Sequence, residues 1–173
     1  MTTLPVRTLV AASAVTVALL AAMGAALAAG GSARSSGPDF AYGAANPFAA
    51  ASAAVHVVKT GNGETTVTLH VHGADAPVGQ RFGAHVHQSP CGSDGLDAGG
   101  HYQHAGATGP LEAMEVWLDF TVNKGGNGHS TATRPWLLDE TSPRSVIIHA
   151  MPTVPDTGLA GARLACIDLD GEH

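Results

Sequence analysis

Charges and aromatic side chains are both scarce in this sequence. Asp, Glu, Lys and Arg make up 13% of its 173 residues, and Phe, Tyr and Trp only 5%. So few charges argue against long solvent-exposed helices, which need a polar face. After residue 50 no helical period of convincing length appears. Lys and Arg form no cluster, and the formal net charge is -6. That balance argues against nucleic acid and anionic membrane surfaces as partners. The length leaves room for one domain of ordinary size. What is abundant is glycine, at 22 residues, and histidine, at 10. Many glycines and few charges suit short strands joined by turns.

The N-terminus has the pattern of an export signal. Arg7 carries the early positive charge, Leu9 to Ala26 is almost wholly apolar, and Ala26-Leu27-Ala28 is a small-x-small cleavage site. Residues 1–28 therefore read as a signal peptide, with an uncleaved anchor as the alternative. Cleavage removes one charged residue, Arg7, and leaves seven basic residues against fourteen acidic ones, a net of -7. After cleavage no stable membrane insertion is expected, and the product is exported, either secreted or associated with the cell envelope. An oxidising compartment favours a disulfide between the two cysteines, Cys91 and Cys166, over two buried thiols. Residues 29–52 are rich in Ala, Gly and Ser without a period, and read as a flexible linker.

From residue 53 to 173 the pattern is that of a folded domain. Val55–Val58 and Thr65–Val71 are β-rich runs separated by Gly61-Asn62-Gly63, a hairpin signal. Arg81–His87, Glu115–Val122, His129–Arg134, Ser145–Ala150 and Ala162–Leu169 are further strand candidates. In Glu115–Val122 the residues Val116, Leu118, Phe120 and Val122 share one face. Trp117, Asp119 and Thr121 share the other, and Asp119 is expected to point into solvent. Residues 88–114 form a long loop, the kind of segment that carries function. Short strands with frequent turn signals predict an all-β sandwich or barrel.

The chemistry lies in the histidines. His85-Val86-His87 puts two imidazoles on one face of a strand, because side chains alternate with period two. His101 sits in the long loop and His149 ends an apolar strand. Four imidazoles in a near-planar set suit copper(II).

These pieces, in this order, resemble a known family. Gly83-Ala84-His85-Val86-His87 resembles the Gly-Phe-His-x-His motif of the copper/zinc superoxide dismutases. Ala98 to Gln103 resembles their Gly-x-His-Phe-Asn loop, and Ser145 to His149 their later copper-ligand strand. Gly158 to Cys166 resembles their C-terminal Gly-Asn-Ala-Gly-x-Arg-Leu-Ala-Cys segment. The resemblance covers about residues 53–169 and is closest to exported bacterial members that bind copper alone. It implies an antiparallel Greek-key sandwich with long metal-binding loops. It also implies copper ligands at His85, His87, His101 and His149, with His101 in the position that bridges copper to zinc in complete members. Arg163 would sit beside the copper and attract superoxide, and His101 would take part in proton transfer. Cys91 and Cys166 would form the family's disulfide.

The chain departs from the full pattern at the zinc site. Between His101 and Glu115 the loop offers only His104, at the wrong spacing. Zinc is therefore doubtful, and Glu115 is the candidate to hold His101 in its place by a hydrogen bond. Residues 150–162 contain Asp156 and no basic residue, so guidance of an anion rests mainly on Arg163. His70-Val71-His72 is a second His-x-His pair that reads as exposed strand histidines, or with His56 as a weaker copper or nickel site. The functional expectation is superoxide dismutation at copper, and the alternative is an exported copper-buffering protein with little turnover. Oligomeric state is not readable from the sequence.

Overall fold

The computed structural model describes residues 32–139 and 145–169, so the signal-peptide reading of residues 1–28 lies outside the described residues. Among the described residues ten strands form three antiparallel sheets. β1 (Ser32–Gly37), β3 (Ser52–Lys59), β4 (Thr65–His72) and β8 (Gly128–Arg134) make the first, in that order. β2 (Phe40–Ala41), β10 (Arg163–Asp168), β9 (Ser145–His149) and β6 (Ala84–His87) make the second. β5 (Arg81–Phe82) pairs with β7 (Phe120–Thr121). Among the described residues helix is confined to one 3-10 turn, Gly95–Ala98, and the single turn α1, Leu111–Met114. No helix among the described residues is long and apolar enough to cross a membrane.

The β3–β4 hairpin turns at the expected glycines and pairs Lys59 with Thr65 and Ser52 with His72. Along both strands alternate side chains are buried. Val55, Val67, Leu69 and Val71 point inward to meet Val146, Ile148, Ala165 and Ile167 of the facing sheet. Burying each such side chain fully is worth about 1.5–3 kcal/mol. The alternation expected for residues 115–122 holds, with Val116, Leu118, Phe120 and Val122 all inside. That stretch pairs irregularly, however, and only Phe120–Thr121 is regular strand. Likewise the strand expected over Arg81–His87 breaks at Gly83, where an added Cβ would come within 2.7 Å of Ala160 Cβ.

Residues 32–52 differ from the linker expectation. β1 pairs along the full length of β3, and β2 pairs with β10. Phe48 is buried and packs edge-on against Phe82 at 5.0 Å and Phe120 at 6.1 Å between ring centroids. Strand pairing uses backbone groups that any composition supplies, so an Ala/Gly/Ser-rich segment can complete a sheet edge without a periodic pattern.

The outer face of the second sheet is covered by the long loop. Ala98 of the loop packs on Ile147 and Cys166, with Tyr42 and Cys91 alongside. Cys91 and Cys166 are joined as a disulfide across 75 residues of sequence. The Tyr42 hydroxyl donates to Gly92 O at 3.0 Å, and Cys91 N donates to Asp168 Oδ1 at 2.6 Å. The loop is thus fixed to β10 at its beginning. Cross-linking a loop of this length restricts the unfolded chain by about 4 kcal/mol in the chain-entropy model. A Cys91→Ala/Cys166→Ala double variant should lose about 2–5 kcal/mol of unfolding free energy, measured by denaturant titration. In hydrogen exchange its residues 91–99 should lose protection before β3 and β4 do.

Candidate metal centre

Because Ala84 and Val86 enter the core, His85 and His87 emerge on the outer face of the second sheet. His149 ends β9 beside them, in register with Arg163 of β10. His101 arrives from the loop and bridges to His87, while Tyr102 N donates to Val86 O at 2.8 Å. One donor atom from each of His85, His87, His101 and His149 lies within 4.8 Å of the others. Among the described residues the only other such group is Asp39, Cys91 and Asp168, and Cys91 is taken up by the disulfide.

Each ring is anchored through one nitrogen, which decides where the other lone pair points. His87 Nδ1 donates to Gly99 O and His149 Nδ1 to Gly161 O, both at 3.1 Å. A carbonyl only accepts, so these nitrogens carry the protons and both Nε2 atoms are left bare. The two Nε2 atoms face each other at 3.4 Å. Gly99 and Gly161 hold φ of 71° and 78°, a left-handed backbone that glycine adopts freely. That conformation aims both carbonyls at the rings.

His101 Nδ1 donates to Glu115 Oε2 at 2.8 Å. The same carboxylate accepts from Trp117 Nε1 at 2.6 Å and Gln103 Nε2 at 2.8 Å. Glu115 is buried, with its side chain 3% exposed. Burial alone would raise its pKa, but these three hydrogen bonds together hold it below the ordinary carboxylate value. α1 places it, since Glu115 N donates to Leu111 O at 2.8 Å. Arg134 of β8 fixes its backbone by donating Nε to Glu115 O at 2.6 Å.

His85 is anchored through Thr153, which the sequence did not single out, and through it Asp119. Its Nε2 lies 2.6 Å from Thr153 Oγ1, and that hydroxyl donates to Asp119. The hydroxyl has one proton, so it accepts from His85, and Nε2 must carry the hydrogen. Asp119 therefore does not point into solvent as expected. It turns toward Thr153, also accepting from Thr153 N at 2.9 Å. The signal was weak, because the contact depends on the 150–162 loop crossing strand residue 119, a long-range event. His85 Nδ1 is left buried with no hydrogen-bond partner.

The fit to a metal rests on that orphaned nitrogen and its three neighbours. Four bare imidazole nitrogens converge, which is unfavourable without a Lewis acid between them. Burial above all, with the other imidazoles of the cluster and, for His87 and His149, Arg163 opposing any further positive charge, pushes the pKa of His85 and His87 down to about 2 and that of His149 to about 4. These rings stay neutral at pH 7, the form that binds metal.

Arg163 lies against the cluster. Nη1 donates to Gly95 O and Nη2 to Gly99 O, both at 2.6 Å. The Gly99 carbonyl thus takes bonds from both His87 and Arg163, coupling the guanidinium to a ring of the cluster. His104 plays no part in the cluster. It stacks on Trp136 with ring centroids 4.6 Å apart.

A family model for copper/zinc superoxide dismutase (SODC) matches residues 51–167. A search of the curated proteins finds no match. The chain is similar in structure to a double mutant of a SOD-like protein from Bacillus subtilis. That likeness has a TM-score of 0.54, at 19% identity over 68% of this chain and 88% of that one. It is also similar to the clock protein EA4, with a TM-score of 0.53, at 14% identity over 80% of this chain and 94% of that one. A single mutant of the same Bacillus subtilis protein gives a TM-score of 0.50, at 20% identity over 68% and 90% of the two chains. At such identities these structures speak to the fold, and the family match speaks to descent. That match runs from the start of β3 into β10, well over half of the chain, and makes this protein a member of the copper/zinc superoxide dismutase family.

Proposed function

We propose that this protein is an exported, copper-dependent superoxide dismutase that works without zinc. The observation that carries the reading is the convergence of four bare imidazole nitrogens beside Arg163. An all-nitrogen set of four suits copper(II). His85 would offer Nδ1, and His87, His101 and His149 would offer Nε2. Zinc shared through His101 would need its Nδ1, and Glu115 already holds that atom. The disulfide and the N-terminal signal pattern support export.

Copper, when bound, supplies a one-electron couple by which one superoxide is oxidised to oxygen and a second, with two protons, is reduced to peroxide. The chain supplies the rest. Arg163 places a fixed positive charge where the overall charge of -6 would repel an anion. Its two carbonyl contacts are strong hydrogen bonds, and among the described residues no carboxylate forms an ion pair with it, Asp94 acting on it only through space. Solvent reaches the cluster beside His101, whose side chain is 19% exposed, whereas His85 and His87 are fully buried. His101 is therefore the ring placed to carry a proton at Nε2. Ionised Glu115 would stabilise the imidazolium so formed while keeping Nδ1 protonated.

The central measurement is superoxide decay after pulse radiolysis, with the protein loaded with copper alone. A fast second-order rate proportional to copper-loaded protein is expected. A rate no better than free copper would leave a copper-buffering protein. Arg163→Ala should keep its copper and lower the rate by about tenfold or more, as loss of electrostatic guidance does. Arg163→Lys should recover part of that loss, and the rate of Arg163→Ala should respond less to salt. Glu115→Gln should weaken copper binding by about 10–100-fold, measured by competition with a chelator of known affinity, while the protein keeps its far-UV circular dichroism.

A further inference from the structure

Four of the ten histidines lie on the opposite side of the molecule. In the first sheet Val55, Val67, Leu69 and Val71 point into the core, so His56 of β3, His70 and His72 of β4 and His129 of β8 point out. His70 and His129 are direct cross-strand partners, with ring centroids 4.6 Å apart. His56 meets His70 edge-on at 5.8 Å, and His72 lies parallel to His70 at 6.5 Å. The four imidazoles are half-exposed or exposed. None of the outward residues of β3, β4 and β8 is charged; on β4 and β8 the others are mainly threonine, with two Thr–Thr hydrogen bonds, and Arg34 of the neighbouring β1 is the register partner of His56. An imidazolium here has no carboxylate on these strands to pair with. The rings instead disfavour one another's charge, and burial followed by His129, His56 and His72 lowers the pKa of His70.

We propose that this histidine face is a second metal site, which binds one divalent late transition-metal ion, Cu²⁺ most tightly, through His70 and His129. Directly opposed side chains on neighbouring antiparallel strands stand about 4.5–5.5 Å apart at Cβ, a spacing at which the half-exposed His70 and the exposed His129 can turn onto one ion. His56 and His72 flank the pair on either side of His70 and offer a third nitrogen. Neutral nitrogen donors without carboxylates select copper, nickel and zinc over calcium and magnesium, and within that group affinity peaks at copper. The two clusters face outward from opposite sheets, with the hydrophobic core between them. The surface site therefore binds independently of the buried one, and its existence does not rest on the proposed activity.

The test is titration of the metal-free protein with Cu²⁺, followed by electron paramagnetic resonance and equilibrium dialysis. Wild type should bind two equivalents with two distinct spectra. The His70→Gln/His129→Gln double variant should lose the second equivalent and keep the spectrum of the first. A His87→Ala/His149→Ala variant should retain the equivalent that the double variant lacks, which separates this site from any failure of the buried one. Binding of the same number of equivalents by wild type and by the His70→Gln/His129→Gln protein, or loss of every equivalent in the His87→Ala/His149→Ala protein, would overturn the proposal. All the surface positions lie on solvent-facing strand residues, and unchanged thermal unfolding would show that loss of metal is not loss of fold.

Discussion

Everything about the buried centre depends on which nitrogen of each imidazole carries its proton. A histidine offers a metal one lone pair only when its other nitrogen is protonated and held. Here a carbonyl holds His87, a second carbonyl holds His149, a carboxylate holds His101 and a hydroxyl holds His85. The anchors come from three stretches of the chain: Gly99 from the long loop, Glu115 from the end of α1, and Thr153 and Gly161 from the loop between β9 and β10. Four independent hydrogen bonds therefore set four lone pairs toward one point, and loss of any one frees a ring to turn or to change tautomer.

Those anchors explain why the loops are built as they are. Gly99 belongs to the segment that the disulfide and the Tyr42 hydroxyl fix against β10. Its carbonyl can serve both His87 and Arg163 only while that segment stays in place. Gly161 and Thr153 belong to the loop between β9 and β10, which also brings Gly158 to within 3.5 Å of the His101–Glu115 pair as measured from an added Cβ. The sandwich supplies a rigid floor, and the loops supply orientation.

Charge is arranged locally against the global trend. The chain is acidic, yet carboxylates near the buried cluster are spent on internal hydrogen bonds: Glu115 on three donors, Asp119 on Thr153. Among the described residues Arg163 donates to two carbonyls and forms no ion pair, so its positive charge stays at the cluster. The opposite face of the molecule carries imidazoles on strands with no outward charge at all.

The sequence by itself determined what short-range physics can carry. Period-two alternation and glycine turns placed β3, β4 and β8. The His85-Val86-His87 alternation put both rings on one face, and the ordered motifs pointed to His101, His149, Arg163 and the cysteine pair as one constellation. Glu115 was legible as a partner for His101 because the expected zinc donors were missing. Only the tertiary structure decided the rest. Backbone pairing drew residues 32–37 and 40–41 into the sheets, although their composition looks like a linker. The crossing of two distant loops turned Asp119 inward and made Thr153 the anchor of His85. Strand register alone set His129 against His70. Such contacts join residues tens of positions apart, and no local pattern encodes them, because hydrogen-bond partners across a fold are chosen by where the backbone finally lies.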